Sequence, residues 1–203
     1  MPEIGLFPLG IVLLPAERVP LHIFEERYKE LIDRCLSNDE EFGLVYADDD
    51  GIRDIGTRAG VVQVINRFDD GRLNVLVEGR QRFMLVELTS GESFHTGEVT
   101  PLDDDEDPSS AETVSRALDL FGRLRELAGS DVEMPSPDDP QLSFTIAGHV
   151  ELAEELKLEL LAETSERARL EQLCEFLEDA AESLRIRRRA VERAATNGRV
   201  DLG

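Results

Sequence analysis

The chain of 203 residues carries 44 acidic against 22 basic side chains, a net charge of −22, so its mean field repels polyphosphate and anionic lipid. A hydrophobic share of 41% beside 33% charged residues fits a folded protein with one core or two small subdomains. The longest apolar stretches, such as Gly10 to Pro15, fall far short of the ~20 residues of a membrane span, and Met1-Pro2-Glu3 lacks the basic start of an export signal, so a cytoplasmic protein is expected.

The first half reads as β-rich. Glu3 to Pro8, Gly10 to Leu14 and Val19 to Phe24 are short apolar segments interrupted by Pro8, Pro15 and Pro20, which predicts short strands with breaks between them. From Glu25 to Leu36 the positions Tyr28, Leu31, Ile32, Cys35 and Leu36 follow a helical repeat, with Glu25 and Glu26 at the positive N-terminal end. Strand patterns return at Glu41 to Ala47, Gly60 to Phe68, Arg72 to Gly79, Gln81 to Leu88 and Phe94 to Pro101. Asp69-Asp70-Gly71 marks a hairpin turn, because Asp and Gly tolerate positive φ, and Asp48-Asp49-Asp50-Gly51 is a turn of the same chemistry. Six or more short strands with one helix predict a closed or half-open barrel.

The acidic run Asp103 to Asp107 marks a boundary, giving an expected β-rich subdomain over 1–107 and a helical one over 108–203. Asp107 reads as an N-cap with Pro108 at the first helical position, and Val114, Ala117, Leu118, Phe121, Leu124 and Ala128 form a stripe that ends before Gly129. After the polar linker Ser130 to Asp139, Asp139-Pro140 repeats the start signal for a helix reaching about Leu152. A long helix is predicted from about Ser165 to Ala195, with Leu170, Leu173, Leu177, Ala180, Leu184, Val191 and Ala194 on a seam that needs a partner helix. From Ser183 to Gly203 six arginines face two acids, a local +4 that leaves −26 on the rest. This positive end complements the negative pole of the helix; the other reading is self-association through the acidic surface of a second copy. Cys35 and Cys174 occupy apolar helical positions, as reduced core thiols do.

Catalytic chemistry is thin. The two lysines, Lys29 and Lys157, neither follow glycine nor precede Ser or Thr, so the chain has no G-x-x-x-x-G-K-[ST] phosphate loop. Both lie in helices dense with Glu, which does not suit the base of a Ser/Lys pair. Gly91-Glu92-Ser93-Phe94-His95 lacks the final Gly of a nucleophile elbow, and Ser93 reads as a turn residue. His22, His95 and His149 are isolated from one another and form no metal-ligand pattern. Asp48 to Asp50 and Asp103 to Asp107 do not have EF-hand spacing and read as solvated turn and linker. No metal and no cofactor is expected.

Leu6-Phe7-Pro8-Leu9, Val12-Leu13-Leu14-Pro15 and Pro20-Leu21-His22-Ile23-Phe24-Glu25 with Arg27-Tyr28 closely resemble the opening of the Lon protease N-terminal domain family. Ile55-Gly56-Thr57-Arg58-Ala59 is similar to that family's G-T-x-A segment. Asp70-Gly71-Arg72 through Val75, Val77, Gly79, Arg82 and Phe83 is similar to its D-G-R…V-x-V-x-G-x-x-R-F hairpin. Leu156 to Leu161 and Arg169-Leu170 match its K-Q-x-L-L-E and R-L pattern more loosely, since Leu158 follows Lys157 where the family has Gln. The resemblance spans about 1 to 195 and implies an α+β fold: a PUA-like β-barrel with one embedded helix, then an all-helical bundle with a long C-terminal helix.

In full-length Lon this domain helps to capture substrate polypeptides and assemble the hexamer, ahead of an ATPase and a Ser/Lys protease. The resemblance therefore implies binding without catalysis: a stand-alone, non-enzymatic module for unfolded or exposed polypeptide segments, an adaptor in protein quality control whose partners are a Lon-type ATPase or a second copy. The alternative is an RNA-binding PUA-like protein, for which Arg187-Arg188-Arg189 speaks and the −26 remainder does not. Phe24, Tyr28 and Phe83 supply the large apolar bodies of a small barrel core, or line a peptide groove. Arg27 and Arg82 are structural ion-pair partners, or meet a peptide carboxylate. Phe24, Arg27, Tyr28, Arg82 and Phe83 are the candidate peptide-binding residues.

Overall fold

A computed structural model of the chain describes residues 2–197, with side chains from 2 to 190; the side chains of Val191, Arg193, Ala194 and Arg199 lie outside that range. The elements are β1 (Glu3–Leu9), β2 (Arg18–Ile23), α1 (Glu26–Asn38), β3 (Phe42–Asp48), β4 (Gly51–Arg67), β5 (Leu73–Thr89), β6 (His95–Pro101), α2 (Ala111–Ala128), α3 (Leu142–Ala147), α4 (Glu154–Ala162) and α5 (Glu166–Asn197). They form two compact units, 1–105 with 147–164 and 106–146 with 165–203.

In the first unit the strand order is β2-β5-β4-β3-β1-β6, and a further β5–β6 pairing closes five of the strands into a ring. Only β2 stays outside that ring, paired to the first half of β5 while the second half of β5 pairs with β6. Gly51 (φ +116°) and Gly71 (φ +83°) make the two acidic turns possible. Across the second, Gly71 donates to the Phe68 carbonyl at 3.0 Å and Asp70 accepts from the Arg72 amide at 3.1 Å. The segments 72–79 and 81–88 are one continuous strand, and β4 begins at Gly51, ahead of the Gly60 start that the alternation predicts. Register shifts between β4 and β5 let both long strands coil.

β1 and β3 are buried on both faces. Phe7 and Leu44 join a cluster with Tyr28, Leu31, Ile32 and Cys35 of α1, while their neighbours Leu6 and Val45 pack with Ile4, Phe83 and Val99. The α1 stripe thus covers one face of the sheet, as its spacing predicts, except for Leu36, which is exposed.

Gly10–Leu14 is not a strand, despite its apolar pattern. It is a buried loop whose main chain is satisfied by side chains. Val12 N donates to Glu154 Oε2 (2.8 Å), Leu14 N donates to Glu17 Oε2 (2.9 Å), and Thr57 Oγ1 donates to the Leu13 carbonyl (2.6 Å). Lys157 Nζ donates to the Val12 carbonyl (3.3 Å) and pairs with Glu17 at 2.5 Å. Gly79 is required beside this loop: its amide donates to the Glu17 carbonyl, and a Cβ there would meet the Leu14 oxygen at 2.1 Å.

In the second unit Ala117, Leu120, Phe121 and Leu124 of α2 are buried together with Leu170, Leu173, Cys174 and Leu177 of α5. The ion pairs Asp107–Arg167 and Arg116–Glu178, both 3.0 Å, advance along the two segments together. α2 and α5 are therefore parallel, which demands a long return connection. The N-cap of α2 is Ser110, whose hydroxyl accepts from Thr113 N at 3.1 Å, and not Asp107, whose carboxylate is taken by Ser165 and Arg167. The helix expected from Asp139 to Leu152 shrinks to the six residues of α3. Arg169, fully buried, pairs with Glu166 (2.7 Å), receives Ser143 Oγ as acceptor (3.0 Å) and lies 4.3 Å over the Phe144 ring. Glu166 in turn accepts from the amide and hydroxyl of Ser143.

Candidate functional site

The five residues expected to bind peptide are not brought together on one surface. Tyr28 is stacked on Phe7 at 4.0 Å, and burial raises its phenol above the usual range. Phe83 is fully enclosed in the smaller apolar cluster. Arg82, only 2% exposed, donates to the carbonyls of Leu161 and Glu163, both at 2.7 Å, and pairs with Asp104. These three are buried: Tyr28 packs α1 on β1, Phe83 fills the smaller cluster, and Arg82 ties β5 to the end of α4. Arg27 is half-exposed, paired with Glu25 at 2.8 Å and lying 4.6 Å over the Tyr28 ring. Phe24 alone is open, with 59% of its surface accessible.

Phe24 belongs to a small aromatic group. It stacks on His22 with centroids 5.9 Å apart, and His22 meets Phe68 edge-on at 6.2 Å. The Arg72 guanidinium lies 5.3 Å over Phe68, and His22 Nδ1 is 2.6 Å from Asn74 Oδ1. The β2–β5 register places His22 opposite Asn74, so the end of β2 and the tip of the β4–β5 hairpin present their aromatics together. Phe68 is 38% exposed, and Val62, Val64 and Ile65 of β4 are exposed as well. A second apolar row, Met84, Val86 and Leu88, is exposed on the other half of β5.

Sequence reasoning passed over His22 and Phe68. His22 lacks a metal-ligand neighbour, which excludes one role without assigning another. Phe68 carried a usable signal: an aromatic directly before an Asp-Asp-Gly turn sits at a hairpin tip, where little can cover it.

The acidic segments are engaged as hydrogen-bond acceptors. Asp48 caps its own turn at Asp50 N (3.0 Å) and pairs with Arg53 (2.8 Å). In the second run Asp104 meets Arg82, Asp105 accepts from Thr164 (2.6 Å) and Asp107 from Ser165 and Arg167. Hydrogen bonds from Arg167 and Ser165 hold the Asp107 carboxyl below the usual carboxylate range. Among the described residues no three His, Cys, Asp or Glu side chains converge as a metal site, and no helix is long and apolar enough to cross a membrane.

Residues 3–179 match the family model described as the ATP-dependent protease La (LON) substrate-binding domain. Among curated proteins, the Lon protease of Rhizobium meliloti (strain 1021) is 29% identical over 195 residues, covering 88% of this chain and 24% of that protein. The Lon protease of Escherichia coli (strain K12) is 28% identical over 204 residues, covering 92% and 26%. The chain thus spans about a quarter of the length of these relatives. Of the solved structures, a Lon N-terminal domain protein from Xanthomonas campestris superposes with a TM-score of 0.67 at 27% identity, covering 85% of this chain and 97% of that one. The N-terminal domain of a Mycobacterium avium complex Lon protease gives 0.68 at 20% identity, covering 88% and 99%, and shares the fold.

Proposed function

The chain belongs to the ATP-dependent protease La (LON) substrate-binding domain family, and from that membership we propose that it is a non-catalytic module that binds unfolded or extended polypeptide through the exposed apolar surface of its barrel unit. The observation that carries this reading is the aromatic group of Phe24, His22 and Phe68, open to solvent in a chain of net charge −22. Exposed, contiguous apolar surface is costly to keep unless it is used. Covering each of the two phenylalanines contributes on the order of 1 kcal/mol, which suits transient capture of many different segments. The half-exposed Arg27 stands three residues from Phe24 and is paired with Glu25, a partner that a peptide carboxylate would have to displace.

The finer reading is an adaptor in protein quality control, acting in the cytoplasm and handing captured polypeptide to a Lon-type ATPase. Its support is the family's place ahead of that motor. The test of the binding reading uses a permanently unfolded model protein, such as a reduced and carboxymethylated globular domain, with its native form as control. Saturable binding of the unfolded form, displaced by a short extended apolar peptide, is expected. Equal or absent binding of both forms contradicts it.

A further inference from the structure

We infer that β2 is a strand-addition edge, at which an extended, apolar-rich segment of another polypeptide pairs with the backbone of Arg18, Pro20 and His22 while placing a side chain against Phe24 and His22. This rests on the polypeptide-binding reading and specifies how the segment is held.

The backbone geometry comes first. In an antiparallel pair, alternate residues point their N–H and C=O groups at the partner strand and the others point them away. Gly79 donates to the Glu17 carbonyl and accepts from the Ala16 amide, both at 2.9 Å, so Glu17 faces β5. By alternation Val19, Leu21 and Ile23 face it too. Proline agrees with this phase, since Pro20, opposite Leu76, has no N–H to give β5. The amides of Arg18 and His22 and the carbonyls of Arg18, Pro20 and His22 therefore point to the other side. Among the described residues β2 has β5 as its sole strand partner, and no other backbone or side-chain group bonds those five atoms. The same three residues are exposed, whereas Leu21 and Ile23 are buried.

Such an edge asks for a strand, because only an extended chain presents donors and acceptors at the two-residue repeat. Side chains at that repeat continue the match: Arg18 pairs outward with Glu78, His22 with Asn74, and Phe24 follows at the next step. A second copy of the chain is the wrong occupant. Antiparallel pairing of two β2 edges would set one proline near the other, removing donors from both, and would bring together two chains of −22. A foreign segment loses only the one donor that Pro20 lacks. The proline thus weakens the edge enough to keep it from permanent pairing and leaves it competent for transient capture.

The test compares Arg18→Ala with Arg18→Pro, which remove the same ion pair and differ in the edge amide. A fluorescein-labelled nonapeptide of Thr and Val with one central Phe is the probe. Wild type and R18A should bind alike, and R18P should bind about ten-fold more weakly with an unchanged circular dichroism spectrum. Two forms of the peptide, N-methylated on odd or on even amides, are tested against the wild-type chain, which keeps the answer available even if R18P fails to fold. One frame should lose about ten-fold in affinity and the other should not. If the peptide binds and the two frames behave alike, strand addition is wrong while polypeptide binding stands. If neither the peptide nor an unfolded protein binds, both fail.

Discussion

The barrel unit and the helical unit each bury an arginine, but the two do different work. Arg82 donates to main-chain carbonyls at the C-terminal end of α4 and so fastens 147–164 to a barrel built from the first 105 residues. Arg169 sits in a side-chain cluster with Glu166, Ser143 and Phe144 and locks the start of α3 to α5. Their outer surfaces differ more. The helical unit uses its leucines in the α2–α5 seam, and the groove beside it is rimmed by Arg123, Glu126, Glu178, Glu182 and Arg185. The barrel unit keeps phenylalanine, methionine, valine and leucine outside. Among the described residues the helical unit leaves Met134 and Ile186 exposed, against nine large apolar residues on the barrel unit, and this imbalance is the ground for proposing capture by the barrel.

That contrast can be broken most forcefully at the arginines. Arg169→Ala strands the Glu166 carboxylate inside the helical unit and should cost about 3–5 kcal/mol, read as a fall in the urea midpoint. Arg82→Ala should cost a similar or smaller amount, with hydrogen exchange rising first in α4 for R82A and in α3 and α5 for R169A. Simultaneous loss of protection in every element for both variants would show that the units do not behave separately. Next in size, Lys157→Met leaves Glu17 buried beside Leu14 without its cation. A loss of about 1–3 kcal/mol is expected, partly restored by adding Glu17→Gln.

Smaller effects come from titration. Burial pushes the Cys35 thiol up to about 11, and Cys174 is raised for the same reason. Neither should alkylate at pH 8 until the chain is unfolded; prompt native labelling of both would contradict the buried seams. A raised thiol favours the folded state below its unfolded value, and that contribution disappears as pH climbs through about 11. Asp107 has the opposite sign. Its lowered carboxyl contributes above the ordinary value of 3.8 and loses that contribution as pH falls further. Asp107→Asn should therefore flatten a small acid-side slope in stability.

The fold was legible where burial has one period. The Asp70-Gly71 turn, most of the α1 and α2 stripes and the α5 seam through Leu177 follow from spacing, though Leu120 of α2 is buried without having been expected. Gly10–Leu14 misleads because an apolar run looks the same in a buried loop, and of the carboxylates that satisfy it Glu17 is local while Glu154 lies 142 residues away. The proposed binding residues were less legible. Tyr28, Arg82 and Phe83 stand in the motif because they build the barrel, and a side chain's type does not reveal which side of a strand it occupies. Phe24 was identifiable as an aromatic, and His22 stands two residues before it, but Phe68 joins them only once β2 pairs with the β4–β5 hairpin.

The most direct measurement is the affinity of the Phe24→Ala, Phe68→Ala double variant for a carboxymethylated unfolded protein, beside a Met134→Ala, Ile186→Ala variant of the helical unit. The barrel variant should bind at least about ten-fold more weakly with its melting curve unchanged, and the helical variant should bind like the wild type. Undiminished binding by the barrel variant, or loss confined to the helical one, would contradict the assignment of capture to the barrel.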